Sequence, residues 1–396
     1  MSDIFVYLDP SPPAAQQGPL AGQSVAIQAN LSVRGWPTRA GSAALAGYVA
    51  LEDATIIARL RQAGAVIVGA VGMSEFGFGR DGDAAGRALS EGHAGMVIMT
   101  DMLGEARLAA ADAGAFGFKP TAGIVSRFGL IGLMPSLETC GLLARTPREI
   151  ARAMAVIAGA DERDHSMHDG ALPDFLRPDQ TPPLRTVGIL KETLALSAAD
   201  EAAAFGAGIA RLAAAGLEIR EVALPAWDDF ALVHRIVGAV EASSSCGKFD
   251  GVRYGHRAAG AKNWNEMYLK TRAESFGPLL KSYLFQGAYF QFENYVAFEK
   301  AARVRARLEA DMAALFAGVD VLALPTGQRE RGGTDGIAGV YREGACTLPA
   351  NVLGLPAVSV PGLVADGSPA GGLQLIGPRL SDARLLALAE RLGSSQ

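Results

Sequence analysis

The sequence predicts an α/β fold, and three observations carry that expectation. Short β-branched apolar runs alternate with amphipathic helical stretches, glycine and proline punctuate the junctions, and 49% of the 396 residues are apolar. A chain of that length and composition fills a substantial core. We expect residues 1–396 to form one domain, with a mostly helical subregion over 230–317.

After a proline-rich lead, SVAIQA at 24–29 reads as a short buried strand. Residues 53–63 place Ile56, Ile57 and Leu60 on one side of a helix that Gly64 ends. A run at 65–68 then opens a glycine-punctuated stretch, and a second apolar run follows at 96–100. Glycine tolerates the backbone angles that let amides approach a ligand, so residues 65–121 are the candidate pocket. Thr146, Pro147 and Glu149 supply a hydroxyl cap, a first-turn proline and a carboxylate at the third helical position, starting a helix that runs to about Ile157. A charged, proline-rich connector spans 161–183.

Strand 186–190, an alanine-rich helix over 200–215 and strand 218–223 repeat the alternation, which argues for βαβ units on a largely parallel sheet. The helical subregion closes with a long helix over 299–316. A buried strand at 320–324, a glycine-rich charged loop at 326–343 that reads as mobile or pocket-rimming, strands at 357–360 and 372–376, and a helix over 381–392 complete the chain.

Charge and cysteine content narrow the function. Lysine and arginine number 36 against 41 acidic residues, a formal charge of −5, which gives no electrostatic reason to expect nucleic acid or an anionic membrane as partner. Cys140, Cys246 and Cys346 have no paired spacing and read as buried packing residues, so neither a disulfide framework nor a zinc site is expected. No cofactor or metal is expected. Without a basic n-region, an apolar h-region or a bilayer-length apolar run, the expectation is a cytoplasmic globule.

Four ordered blocks, GYVALEDATIIARLRQAGAVIVG, GFKPTAGIVSRFGLIGLMPSLETCG, EASSSCGKFDGVRYGHRA and PANVLGLPAVSVPG, resemble the amidase signature family over essentially the whole chain. The resemblance implies an α/β/α fold with a large mixed central sheet surrounded by helices. It also implies an ancestry in amide-bond hydrolysis, in which a Lys activates a nucleophilic Ser through a second Ser in a cis peptide, and glycine-rich amides hold the oxyanion.

At each of those positions this sequence departs from the family pattern. The Lys of a GKTNMSEF-like stretch falls on Ala70 in GAVGMSEF. The nucleophile at the end of a GSDTGGS-like stretch falls on Glu105 in MTDMLGE. Asp101 and Arg107 match the family there, Gly104 precedes the nucleophile position, and Leu103 replaces a loop glycine. Counting back without gaps sets GRDGDAA on the GGSSGGS loop, which puts Asp81 at the bridging serine beside Arg80; the stretch between Ala70 and Asp81 is much shorter than the family's. Tyr254 matches the VRYGH block, whereas an Arg and an Asp that glutamine-using relatives carry fall on Ser282 or Tyr283 and on Gly344.

These departures imply that Ser-type amidase activity is absent. The chain then reads as a catalytically inactive binding, scaffold or regulatory subunit, with a small amide-like ligand and a protein partner or second copy. The alternative keeps Asp81 and Glu105 as an acid–base or hard-cation pair that hydrolyses an amide, ureide or related C–N bond. The plainer reading has both carboxylates neutralised by Arg80 and Arg107. His93, the lone histidine of the pocket stretch, reads as a satisfied polar residue.

Overall fold

A computed structural model describes residues 3–12, 17–79, 83–178, 182–194, 199–327, 336–363 and 369–393. Arg80 and Asp81 therefore lie outside the described residues, as do residues 328–335 of the charged loop.

The N-terminal half builds β1 (Phe5–Leu8), β2 (Ser24–Gln28), α1 (Thr55–Gln62), β3 (Val66–Val71), α2 (Ala84–Ser90), β4 (Met96–Asp101), α3 (Glu105–Asp112), β5 (Phe116–Lys119), β6 (Thr139–Ala144) and α4 (Pro147–Ile157). There follow β7 (Thr186–Leu190), α5 (Lys191–Leu194), α6 (Ala199–Ala214) and β8 (Glu218–Val222). Then come α7 (Trp227–Ser245), α8 (Trp264–Ser275), α9 (Pro278–Ala288) and α10 (Tyr295–Phe316). The chain ends with β9 (Val321–Pro325), α11 (Gly336–Glu343), α12 (Leu348–Val352), β10 (Ala357–Leu363), β11 (Pro369–Ile376) and α13 (Asp382–Gly393).

The strands form one eleven-stranded sheet in the order β1-β3-β2-β4-β6-β5-β10-β11-β9-β7-β8. The expectation of a largely parallel sheet is corrected here. Pairing is parallel where β2 meets β3 and β4 and where β7 meets β8 and β9, but β4–β6, β5–β6, β5–β10, β10–β11 and β9–β11 are antiparallel. Two parallel blocks thus flank an antiparallel centre, and β1 adds an antiparallel edge strand against β3. β10 and β11 are close enough in sequence to pair as a hairpin, which a helical crossover does not allow.

Period-two alternation assigns the faces. In β4, Met96 and Ile98 point into the core beneath α1, α4 and α13, while Val97 and Met99 pack on α2 and α3. In the other parallel block Leu322 and Leu324 of β9 face a core filled from α7, α9 and α10. Helices therefore cover both faces, as the fold class requires. The cap expected before Pro147 is present as a full capping box, with Thr146 and Glu149 each accepting the other's backbone N–H. The stretch expected to be loop at 326–343 is helical over α11. No helix among the described residues is long and apolar enough to cross a membrane.

Candidate functional site

β4 is buried along its length and delivers Asp101 to its C-terminal end; residues 102–104 turn the chain, and α3 starts at Glu105. Gly104 makes the turn with φ at +109°, and a Cβ there would collide with the Thr347 side chain. Gly104→Ala is accordingly expected to cost roughly 1–3 kcal/mol, read as a fall in the chemical denaturation midpoint.

Arg107, one turn into α3, is fully buried. Its Nη2 and Nε atoms donate to the two oxygens of Asp101 at 2.8 and 3.0 Å. Nη1 donates to the Thr347 carbonyl at 3.0 Å and to Gln374 Oε1, and Nη2 also reaches Asn351 Oδ1. Asn351 Nδ2 returns a 2.9 Å bond to Asp101 Oδ1 and a 3.1 Å bond to the Leu137 carbonyl. Burial opposes ionisation of Asp101, but the Arg107 charge and hydrogen bonds, with Lys119 beyond, outweigh it and hold the carboxyl below its ordinary range. The expectation that Arg107 neutralises Glu105 is thereby corrected, since the guanidinium goes to Asp101.

Glu105 turns back on its own loop. Its Oε2 accepts the N–H groups of Met102 and Leu103 at 2.8 and 2.9 Å. Burial and the nearby Asp101 charge push its carboxyl up to about 7, against the pull of those amides. It lines a cavity of about 40 Å³ with Gln28, Met73, Ser74, Asp83 and Met99. That is room for water, well below the ~300–1,000 Å³ of sites that enclose small molecules. Ala70 places its methyl in the apolar core, opposite Tyr7.

A polar chain that sequence reasoning missed runs into the same loop. His234, buried on α7, has Nε2 2.8 Å from the Met102 carbonyl oxygen, which can only accept. Nε2 therefore carries the proton, and Nδ1 accepts from the Tyr341 hydroxyl at 2.9 Å. Tyr341 in turn accepts from Tyr283 at 2.8 Å. The Met102 carbonyl belongs to the same peptide group as the Leu103 N–H, so every donor from Tyr283 to that peptide points toward the Glu105 carboxylate. Burial drives the His234 imidazole down to about 4, so it is neutral at pH 7. Only a lone histidine, between Val233 and Arg235, and two tyrosines far apart in sequence signalled this cluster.

Tyr283, one of the two residues expected where glutamine-using relatives carry an Arg, is buried and stacks on Phe78 with centroids 4.3 Å apart; Ser282 is exposed. Gly344 packs against the Leu103 carbonyl and accepts from the Thr347 hydroxyl at 2.7 Å. His93 and Tyr254 do not join Glu105. His93 precedes β4, at the end opposite Asp101, where Nε2 meets Glu91 at 3.2 Å; Tyr254 packs between Tyr48 and Phe249. The three cysteines are buried thiols, each pushed up to about 12 by desolvation. No group of three metal-ligating side chains occurs among the described residues.

A mixed sheet sheathed by helices on both faces, with a polar turn between strand and helix at its centre, defines an α/β protein. The chain belongs to the amidase family, whose model matches residues 7–87 and 82–386. It is 35% identical to the A subunit of the Symbiobacterium thermophilum glutamyl-tRNA(Gln) amidotransferase over 94% of this chain and 82% of that one. The protein of the same name from Natronomonas pharaonis is 37% identical over 95% and 96%. Among solved structures, its Thermotoga maritima namesake superposes with a TM-score of 0.80, at 24% identity over 98% of this chain and 86% of that one. A 6-aminohexanoate cyclic dimer hydrolase also gives 0.80, at 21% identity over 96% and 86%. These structural likenesses concern the fold.

Proposed function

We propose that this chain is a non-catalytic amidase-family protein that serves as a binding or scaffold component for another chain. The observation that carries the reading is Glu105. Acyl transfer on this fold calls for an activated hydroxyl and free backbone donors for the oxyanion. Here a carboxylate stands at the strand-to-helix turn and already occupies the Met102 and Leu103 amides. Ala70 offers no base, and the space of about 40 Å³ beside Glu105 is too small for an amide substrate. Subunit status in the named relatives supports a protein partner, and three unpaired thiols suit a reducing, cytoplasmic setting.

A second reading has one observation in its favour: a carboxyl brought to about 7 beside a water-sized cavity is suited to general acid–base work. One assay separates the two. The purified protein is offered glutamine, asparagine, short primary amides and ureides between pH 6 and 9, and ammonia release is followed. We expect no turnover above the uncatalysed background and no labelling by a serine-directed phosphonate. Turnover at enzyme-like rates that Glu105→Ala abolishes overturns the scaffold reading in favour of carboxylate chemistry.

A further inference from the structure

Beside the Glu105 cavity, and separated from it by Met73, lies a second and larger space. This cleft of about 480 Å³ is lined by Val6, Ala29, Pro37, Arg39, Ala43 and Met73, among others. It lies within the size range of small-molecule sites. Ala29 directly follows β2 and Met73 follows β3, so the cleft opens beyond the carboxyl ends of two parallel strands, where sheets of this kind place their ligands.

Its lining is mostly apolar, with the Ser42 hydroxyl and the exposed Arg39, its one charged side chain, as polar exceptions. That guanidinium forms no ion pair or side-chain hydrogen bond among the described residues. The backbone beneath it is fixed. Ala40 N–H bonds to the Ala29 carbonyl at 3.0 Å, the Ala40 carbonyl accepts from Phe76 N–H at 2.8 Å, and the Arg39 carbonyl accepts from Ser42 N–H at 2.9 Å. These bonds hold Ala40 at a φ of +48°, a region alanine enters only when its surroundings impose it. The neighbouring Gly41, at +67°, sits so close to the Met73 and Ser74 carbonyls that no side chain fits. The loop thus presents Arg39 from a rigid base. Glu75, the carboxylate bonded to Ser42, is occupied by that hydroxyl and by the Gly277 N–H.

We propose that this cleft binds a small monocarboxylate with a short apolar body, its carboxylate paired with Arg39 and its body against Val6, Pro37 and Met73. A single cation matches a single negative charge and would leave a dianion half-neutralised. Arginine presents parallel N–H donors to the two oxygens of a carboxylate, and the apolar walls reward a hydrocarbon more than a bare ion. The assignment stands whether or not Glu105 takes part in chemistry.

The test is calorimetric titration at low ionic strength with hexanoate and phenylacetate, against hexanamide, hexylamine and inorganic phosphate. Saturable binding of at least one acid, with the amide and amine much weaker, is the expected result. Arg39→Gln should weaken acid binding by roughly tenfold, with the fold confirmed by an unchanged circular dichroism melt, and Arg39→Lys should restore part of it. Met73→Trp, which fills the cleft from its other side, should abolish binding. The proposal is overturned if neither acid binds, if Arg39→Gln leaves their affinity unchanged, or if phosphate, amide or amine binds as well as the acids.

Discussion

Replacing Arg107 with methionine is expected to lower the unfolding free energy by about 3–5 kcal/mol. The substitution keeps much of the side-chain volume but removes every donor Arg107 supplies. Asp101 would remain fully buried with its charge matched only by Lys119 and one Asn351 amide, and the Thr347 carbonyl, Gln374 Oε1 and Asn351 Oδ1 would each lose an Arg107 bond. The cost comes from stranded partners rather than from an attractive pair. A second change should therefore recover more than half of it: Arg107→Met with Asp101→Asn removes the uncompensated charge and keeps the bond to Asn351. Chemical denaturation of the parent, the single variant and the double variant measures all three, and equal losses in the single and double variants would refute this account. Because three separate segments meet on this guanidinium, the single variant should also loosen α12 and the end of β11 together, visible as faster amide exchange at residues 347–352 and near Gln374.

The sequence exposed the strands and helices with clear periodicity and hid those without it. Strand β7 falls on the expected 186–190, and α4 begins at its capping box. Helix α3 was illegible because all but its last residue are buried; EARLAAAD has no polar face to alternate with an apolar one. Strand β6, TCGLLA, lacks β-branched weight, and β1 has only four residues. Alternation of strands and helices argued for parallel pairing, which holds where β2 meets β3 and β4 and where β7 meets β8 and β9, and the mixed sheet was implied only by the family resemblance. The loop that follows the apolar run at 96–100 was legible, whereas the wiring around Asp101 and Arg107 was not. Thr347, Asn351 and Gln374 lie some 240 or more positions from Arg107, and no local pattern announces them. The mistaken Arg107–Glu105 pairing had a physical warning: residues two apart on a helix do not share a face.

Glu105 and His234, joined through one peptide group, titrate in opposite senses, and this gives the second large effect. Glu105 rises from an ordinary 4.5 to about 7, so between those values the folded chain keeps a proton that the unfolded chain has lost. Its contribution is full below about pH 4.5 and is lost as pH rises toward 7. His234 falls from 6.5 to about 4, so in that window the unfolded chain binds a proton that the folded chain refuses. Its contribution is full above about pH 6.5 and is lost as pH falls toward 4. Over their shared range the two slopes cancel, and the pair adds little pH dependence to the parent protein. Relative to the parent at the same pH, Glu105→Gln removes the glutamate limb, so its stability difference should rise from pH 4.5 to 7 and leave the variant the more stable above pH 7, where a buried charge has gone. His234→Gln, which retains a donor toward the Met102 carbonyl, removes the histidine limb, so its stability difference from the parent should fall from pH 4 to 6.5. Each difference should amount to on the order of 1–3 kcal/mol across its window. Other titrating groups largely drop out when each variant is compared with the parent at the same pH. Denaturation midpoints at half-unit pH steps would show the two limbs with opposite signs. Limbs of the same sign, or a flat difference for both variants, would mean that the two groups do not hold the protonation states that this geometry requires.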